Sequence, residues 1–222
     1  MNKSYKHFLF FIFSIFYPYI MYIILETFIN NVSIPINAFI MLTDILFILI
    51  IYFIYKKDII LEWNIFKKDW INIIKNNARY WGYGLIAMSF FNLLITFFIA
   101  KDISENEKLV RELLEQIPIF MIISTVIVAP ITEEMIYRKS IKGFINNKYF
   151  YMVMSGLIFG LAHVINSFKD VTDFLFILPY GALGFVFAYI YDKTKTIFAP
   201  ISFHLIHNLI MVTLSMLLSL IG

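Results

Sequence analysis

Apolar residues along this chain fall in long blocks, covering roughly residues 8–29, 34–55, 81–100, 118–146, 149–167, 173–191 and 198–219. Runs of about 18 to 22 such residues suffice to cross ~30 Å of hydrocarbon at about 1.5 Å per residue. The pattern therefore predicts an all-α fold, a polytopic membrane helix bundle of about seven transmembrane helices. Between the second and third blocks, Trp63, Phe66 and Trp70 interleave with Lys57, Lys67, Lys68 and Lys75. That alternation over Lys56 to Arg79 predicts an additional amphipathic helix lying in the headgroup layer. The polar, acidic stretch 101–117 predicts a short helix outside the membrane. The first block follows Lys3 and Lys6 as a signal peptide would, but it is too long for an h-region and lacks a small-x-small cleavage site. A retained first span is expected.

Composition agrees with the pattern. The chain is 61% hydrophobic and 15% charged, against about a quarter charged in soluble domains. Its 222 residues suit a single membrane domain, 1–222, with no visible repeat or linker. It has no cysteine, which excludes disulfides, thiolate nucleophiles and cysteine-ligated metal or iron–sulfur sites. Fourteen of the eighteen Lys and Arg residues fall on one side if the spans alternate, leaving only Lys101, Lys108, Arg111 and Lys169 on the other. The charge bias predicts a cytoplasmic N-terminus and an external C-terminus. Richness in Ile, Asn, Lys, Phe and Tyr points to an AT-rich genome, hence a bacterial plasma membrane. The lipid bilayer is the expected partner, and nucleic acid is not.

Three clusters interrupt the apolar pattern. The first is Glu133-Glu134 with Arg138, the second Phe159 with His163, and the third His204 with Asn208. An ionised side chain facing lipid at mid-helix costs about 2.5–3.5 kcal/mol on insertion scales, so these charges should face the bundle interior or a wet cavity. Glu134 and Arg138 stand at i, i+4 and can pair. Charges at a span end also occur where a helix simply snorkels, and a lone membrane histidine is more often a packing residue. Depth argues for a site. If 146–148 is a hairpin turn, Glu133 and His163 each lie fifteen residues from Lys148, about 22 Å along their helices. His204 and Asn208 follow the turn near Lys193–Lys195 by about 15–21 Å and share a face. Pro130, one turn before Glu133, should free the Val126 carbonyl and kink the helix. Gly156 and Gly160 form a small-xxx-small pair for close helix approach. His207 reads as a packing residue beside the site, and Glu26 and Asp44 as span residues hydrogen-bonded between helices.

With EEMIYR, FGLAH and HLIHN in this order, the chain resembles the CPBP intramembrane protease family of CAAX proteases and bacteriocin-processing enzymes, also termed Abi-like. The resemblance covers 118–215 as a catalytic core and leaves 1–117 as N-terminal spans and interfacial helices. Lys139 departs from the glycine that often follows the family's arginine, a change expected to be harmless. The resemblance implies that Glu133, helped by His163, activates water, that Glu134 and Arg138 hold it in place, and that His204 and Asn208 bind the oxyanion. It implies a peptide or protein substrate in or at the membrane. A metal-independent mechanism needing no cofactor is favoured. Should Zn²⁺ be used, Glu133, His163 and His204 are the candidate ligands, although no H-E-x-x-H pair is present. Two other classes fit the same residues: a proton-coupled transporter, which would bring inverted repeats, and a catalytically silent scaffold or immunity protein of the same fold.

Overall fold

The computed structural model describes residues 3–29, 35–99 and 103–219, and every regular element among them is helical. In chain order the α-helices are α1 (Lys3–Ile29), α2 (Ile36–Ile99), α3 (Glu105–Gln116), α4 (Pro118–Ile123), α5 (Ala129–Glu133), α6 (Ile141–Phe144), α7 (Lys148–Ile165), α8 (Ile177–Thr194) and α9 (Phe198–Ser219), with a 3-10 turn, Val171–Phe176, leading into α8. π-Helical segments Ser124–Val128 and Glu134–Ser140 join α4, α5 and α6 into one continuous helix, Pro118–Phe144. Six helices among the described residues are long and apolar enough to cross a bilayer. Residues such as Phe53 and Phe97 project outward at 76% and 82% exposure, as lipid-facing side chains do. The chain is a multi-pass, all-α membrane bundle.

α2 holds two of the predicted spans. Its 64 residues would extend for about 96 Å if straight, roughly three bilayer cores. It breaks at Asp69 (φ −151°, ψ 35°), where Asn72 Nδ2 donates to the Asp69 carboxylate at 2.6 Å. The amphipathic stretch 56–79, expected as one helix, forms the two arms of this elbow and runs on without a break into the span on either side. The reason is local: no Pro or Gly lies between Lys56 and Arg79, so helix propagates inward from both spans.

Charges sort to the two ends of the bundle. Near the elbow, Lys6 pairs with Asp58 at 3.5 Å, and Asp192 gathers Lys142 (2.6 Å), Lys195 (3.2 Å) and Lys148 (3.5 Å). At the opposite end, Glu107 pairs with Arg111 and Glu105 with Lys108 and Lys169. Lys101 lies outside the described residues. Between the ends, α7 and α8 are in backbone contact. A Cβ on Gly156 would come within 2.6 Å of the Gly181 carbonyl oxygen, and one on Gly160 within 2.5 Å of that of Ile177. Only glycine permits this approach, which brings the helix of His163 against α8. Asp44 accepts a hydrogen bond from Ser124 Oγ at 2.9 Å, the interhelical role expected for it, whereas Glu26 is exposed.

Candidate active site

The backbone of the continuous helix prepares the site before any side chain acts. In the first π segment the Ala129 N–H reaches back to the Ser124 carbonyl. The next bond in that register would run from residue 130 to Thr125, and Pro130 has no N–H to give. The carbonyl set free is thus that of Thr125, not Val126, because the π register shifts the pairing by one residue. Asn208 Nδ2 donates to it at 2.8 Å and ties α9 to the helix of the glutamates. One amide hydrogen of Asn208 is left for another acceptor.

Glu134 and Arg138 are fully buried. Arg138 donates through Nε to Glu134 Oε2 (2.9 Å) and through Nη2 to Oε1 (3.2 Å), a forked pair. Its Nη1 donates to Ser155 Oγ at 3.0 Å, and the guanidinium lies 4.5 Å from the Phe159 ring centre. His204 Nδ1 sits 3.0 Å from Glu134 Oε1. Both carboxylate oxygens of Glu134 are thus engaged by protein.

Glu133 is arranged differently. Its Oε2 is buried, has no hydrogen-bond partner among the described residues, and stands 3.7 Å from His204 Nε2. It lines a cavity of about 320 Å³ together with Tyr137, His163, His204, His207 and Asn208. His163 Nδ1 is 2.9 Å from the Phe159 carbonyl, which can only accept, so the proton is on Nδ1 and Nε2 is the free basic nitrogen. The six predicted residues are therefore together: Glu133, His163, His204 and Asn208 on the cavity, with Glu134 and Arg138 behind them. His207 is buried and shares the cavity wall.

Zinc fits this donor set poorly. Among the described residues no three His, Asp or Glu side chains are grouped to hold a metal ion. His204 Nε2 approaches Glu133 at 3.7 Å, but its Nδ1 is taken up by Glu134, and a catalytic zinc takes three protein ligands.

Sequence reasoning missed three residues that shape the site. Ser155 and Tyr180 flank Arg138 and His163 without any polar or charged pattern to mark them. Glu62 is the third. It is buried, accepts from Lys139 Nζ, from Tyr191 OH (3.1 Å) and from the Ile197 N–H (2.7 Å), and its backbone carbonyl takes Thr196 Oγ–H (2.9 Å). Lys139 is thus not an incidental departure from glycine: it is buried, and Glu62 on α2 is its counter-charge.

With this geometry in hand, residues 115–210 match the family model described as type II CAAX prenyl endopeptidase Rce1-like. This segment of the chain is similar to that family. That segment takes in all six candidate residues, whereas Glu62 and the elbow of α2 lie outside it. Among curated proteins, membrane peptidase YdiL of Bacillus subtilis is 36% identical over 116 residues, 51% of this chain and 44% of that protein. The membrane-embedded CAAX protease MroQ of Staphylococcus aureus is 31% identical over 117 residues, 49% of this chain and 44% of that protein. UPF0177 protein YvdC of Lactococcus lactis is 29% identical over 117 residues, 52% of this chain and 42% of that protein. The chain thus spans less than half the length of the curated relatives it matches. No solved structure matches the chain significantly.

Proposed function

We propose that this chain is an intramembrane endopeptidase that hydrolyses a peptide bond of a membrane-associated or lipidated substrate, with water activated by Glu133. The observation that carries this reading is the contrast between adjacent carboxylates: Glu134 is saturated by Arg138 and His204, while Glu133 Oε2 is buried, unpartnered and on the cavity. That oxygen accepts no hydrogen bond from the described residues, so a water bound in the cavity is the natural donor to it, and a carboxylate so placed can take the water's proton.

Glu133 accepts a proton from that water while His163 Nε2 orients it. The hydroxide attacks the scissile carbonyl carbon, and the carbonyl oxygen becomes an oxyanion. The free amide hydrogen of Asn208 donates to it. His204 faces the same space through Nε2 and, when it carries a proton on each ring nitrogen, is the second donor to the oxyanion. Collapse of the intermediate breaks the C–N bond, and Glu133 returns its proton to the leaving amine. No step is routed through a metal, since the donors do not form a three-ligand set.

The matched family is described as CAAX prenyl endopeptidases and MroQ as a CAAX protease, which supports a lipidated substrate class here. The basic end is assigned to the cytoplasm by the charge rule, and a labelling map that places Lys67 outside would overturn that orientation. The reading itself is tested by comparing peptide termini in cells with the wild-type chain and with Glu133→Gln. Termini that appear only with the wild type are expected. Identical terminus profiles, as a transporter or scaffold would give, would contradict it.

A further inference from the structure

α3 forms the outer wall of the cavity, contributing Asn106, Glu107, Val110, Arg111 and Leu114 to its lining. It is amphipathic, and Leu114, with Val110 beside it, packs against Val126 and Val212. At its C-terminal end a single non-helical residue, Ile117 (φ −137°, ψ 61°), joins it to the helix that carries the glutamates. At its N-terminal end the cap is Ser104, a buried residue whose Oγ accepts from the Glu107 N–H at 3.1 Å. The same oxygen is 2.7 Å from the Tyr180 hydroxyl. The Tyr180 ring, in turn, stacks on His163 with centroids 4.5 Å apart and planes 27° from parallel.

His163 is thus fixed from three directions. Phe159 lies against it with centroids 4.4 Å apart, the Phe159 carbonyl holds Nδ1, and Tyr180 covers a ring face. Tyr180 is the one of these contacts that answers to something outside the membrane helices. It also belongs to the wall shared with a neighbouring cavity of about 220 Å³, together with Met88, Glu107, Arg111 and Met211.

We propose that Tyr180 is a positioning residue for His163, and that α3 reports its docking to the catalytic layer through the Ser104–Tyr180 hydrogen bond. With α3 in place, Tyr180 is held against the imidazole and the cavity is closed on that side. With α3 displaced about Ile117, the hydroxyl loses Ser104, the stacked ring is released, and the two cavities join into a path for an incoming peptide. The inference rests on the peptidase reading for its kinetic consequence and not for the docking itself.

Two measurements separate these parts. Since the chain has no cysteine, Val110→Cys gives a single thiol on the cavity side of α3. Its alkylation by a water-soluble maleimide should accelerate about fivefold or more, the worth of one hydrogen bond, when Ser104→Ala or Tyr180→Phe is added. The double variant should be no faster than either single one. Unchanged labelling, or effects that multiply, would overturn the coupling whether or not the protein cleaves peptides. In a reporter-peptide assay, Tyr180→Phe keeps the stacked ring and should act chiefly on KM. Tyr180→Leu removes the ring and should lower kcat about tenfold or more, measured at a temperature where the variant is fully folded. Equal loss of kcat in both variants would show that stacking on His163 is not the agent. Absence of cleavage in the wild type would instead count against the peptidase reading, with the labelling result standing.

Discussion

Glu62 and Glu133 are both carboxylates carried into the packed interior of one bundle, and they have opposite surroundings. Glu62 has a cation, a phenol and a backbone N–H on its two oxygens, supplied by three different parts of the fold. Glu133 has a buried oxygen with no donor from the described residues and a cavity in front of it. A saturated carboxylate holds elements together: Glu62 ties the first arm of α2 to the helix of the glutamates and to the start of α9. An unsaturated one costs stability and is available for chemistry. Glu134, adjacent to Glu133 but saturated like Glu62, shows that environment rather than residue type makes the difference.

Variants can break that comparison, and we order them by the stability they remove. Arg138→Ala leaves Glu134 buried without its forked partner, so thermal or denaturant unfolding should show a loss of about 3–5 kcal/mol together with loss of cleavage. Glu62→Ala strands Lys139, but Asp58 lies 3.9 Å from its ammonium and offsets part of the effect, so about 3 kcal/mol is expected. Lys139→Met in the Glu62→Ala background should recover much of it, because the uncompensated charge is gone. Gly160→Ala forces α7 from the Ile177 carbonyl and should cost about 1–3 kcal/mol, measured the same way.

The smallest effect belongs to the ion pair at the opposite end, in which Lys169 is exposed and Glu105 half-buried. Lys108 first, and then Lys169, hold the Glu105 carboxyl below its ordinary range, while Glu105 raises Lys169. The Glu105 contribution is therefore present above the ordinary carboxylate range and lost as pH falls through its lowered value. The Lys169 contribution is present below the ordinary lysine range and lost as pH rises through its raised value. Salt screens both. Lys169→Ala should leave unfolding at neutral pH almost unchanged at high ionic strength, and a large shift there would mean that this pair is not solvated.

Spans, charge segregation and all six candidate residues were legible because each has a one-dimensional signature. Apolar runs mark spans, and helical rise converts distance from a turn into depth, which aligned Glu133, His163 and His204 without knowledge of packing. What was not legible depends on pairings across the chain. Lys139 reads as a harmless departure from the family's glycine until Glu62, 77 residues earlier, is found beside it. The π segments leave no pattern except Pro130, so the freed carbonyl was assigned one residue late. The elbow at Asp69 has no Gly or Pro to announce it. Tyr180 is one of 14 tyrosines in a chain with 25 phenylalanines, and nothing in its neighbours marks it as the ring that covers His163.

The central claim is that Glu133 contributes a base and not an architectural contact. Its most direct test is Glu133→Gln, purified beside the wild type, with thermal unfolding and reporter-peptide cleavage measured on the same preparations. Glutamine keeps the size and removes the basic carboxylate. The account predicts unfolding close to wild type and a cleavage rate reduced about 10²–10⁴-fold or more. Cleavage near the wild-type rate in a folded Glu133→Gln protein would contradict it.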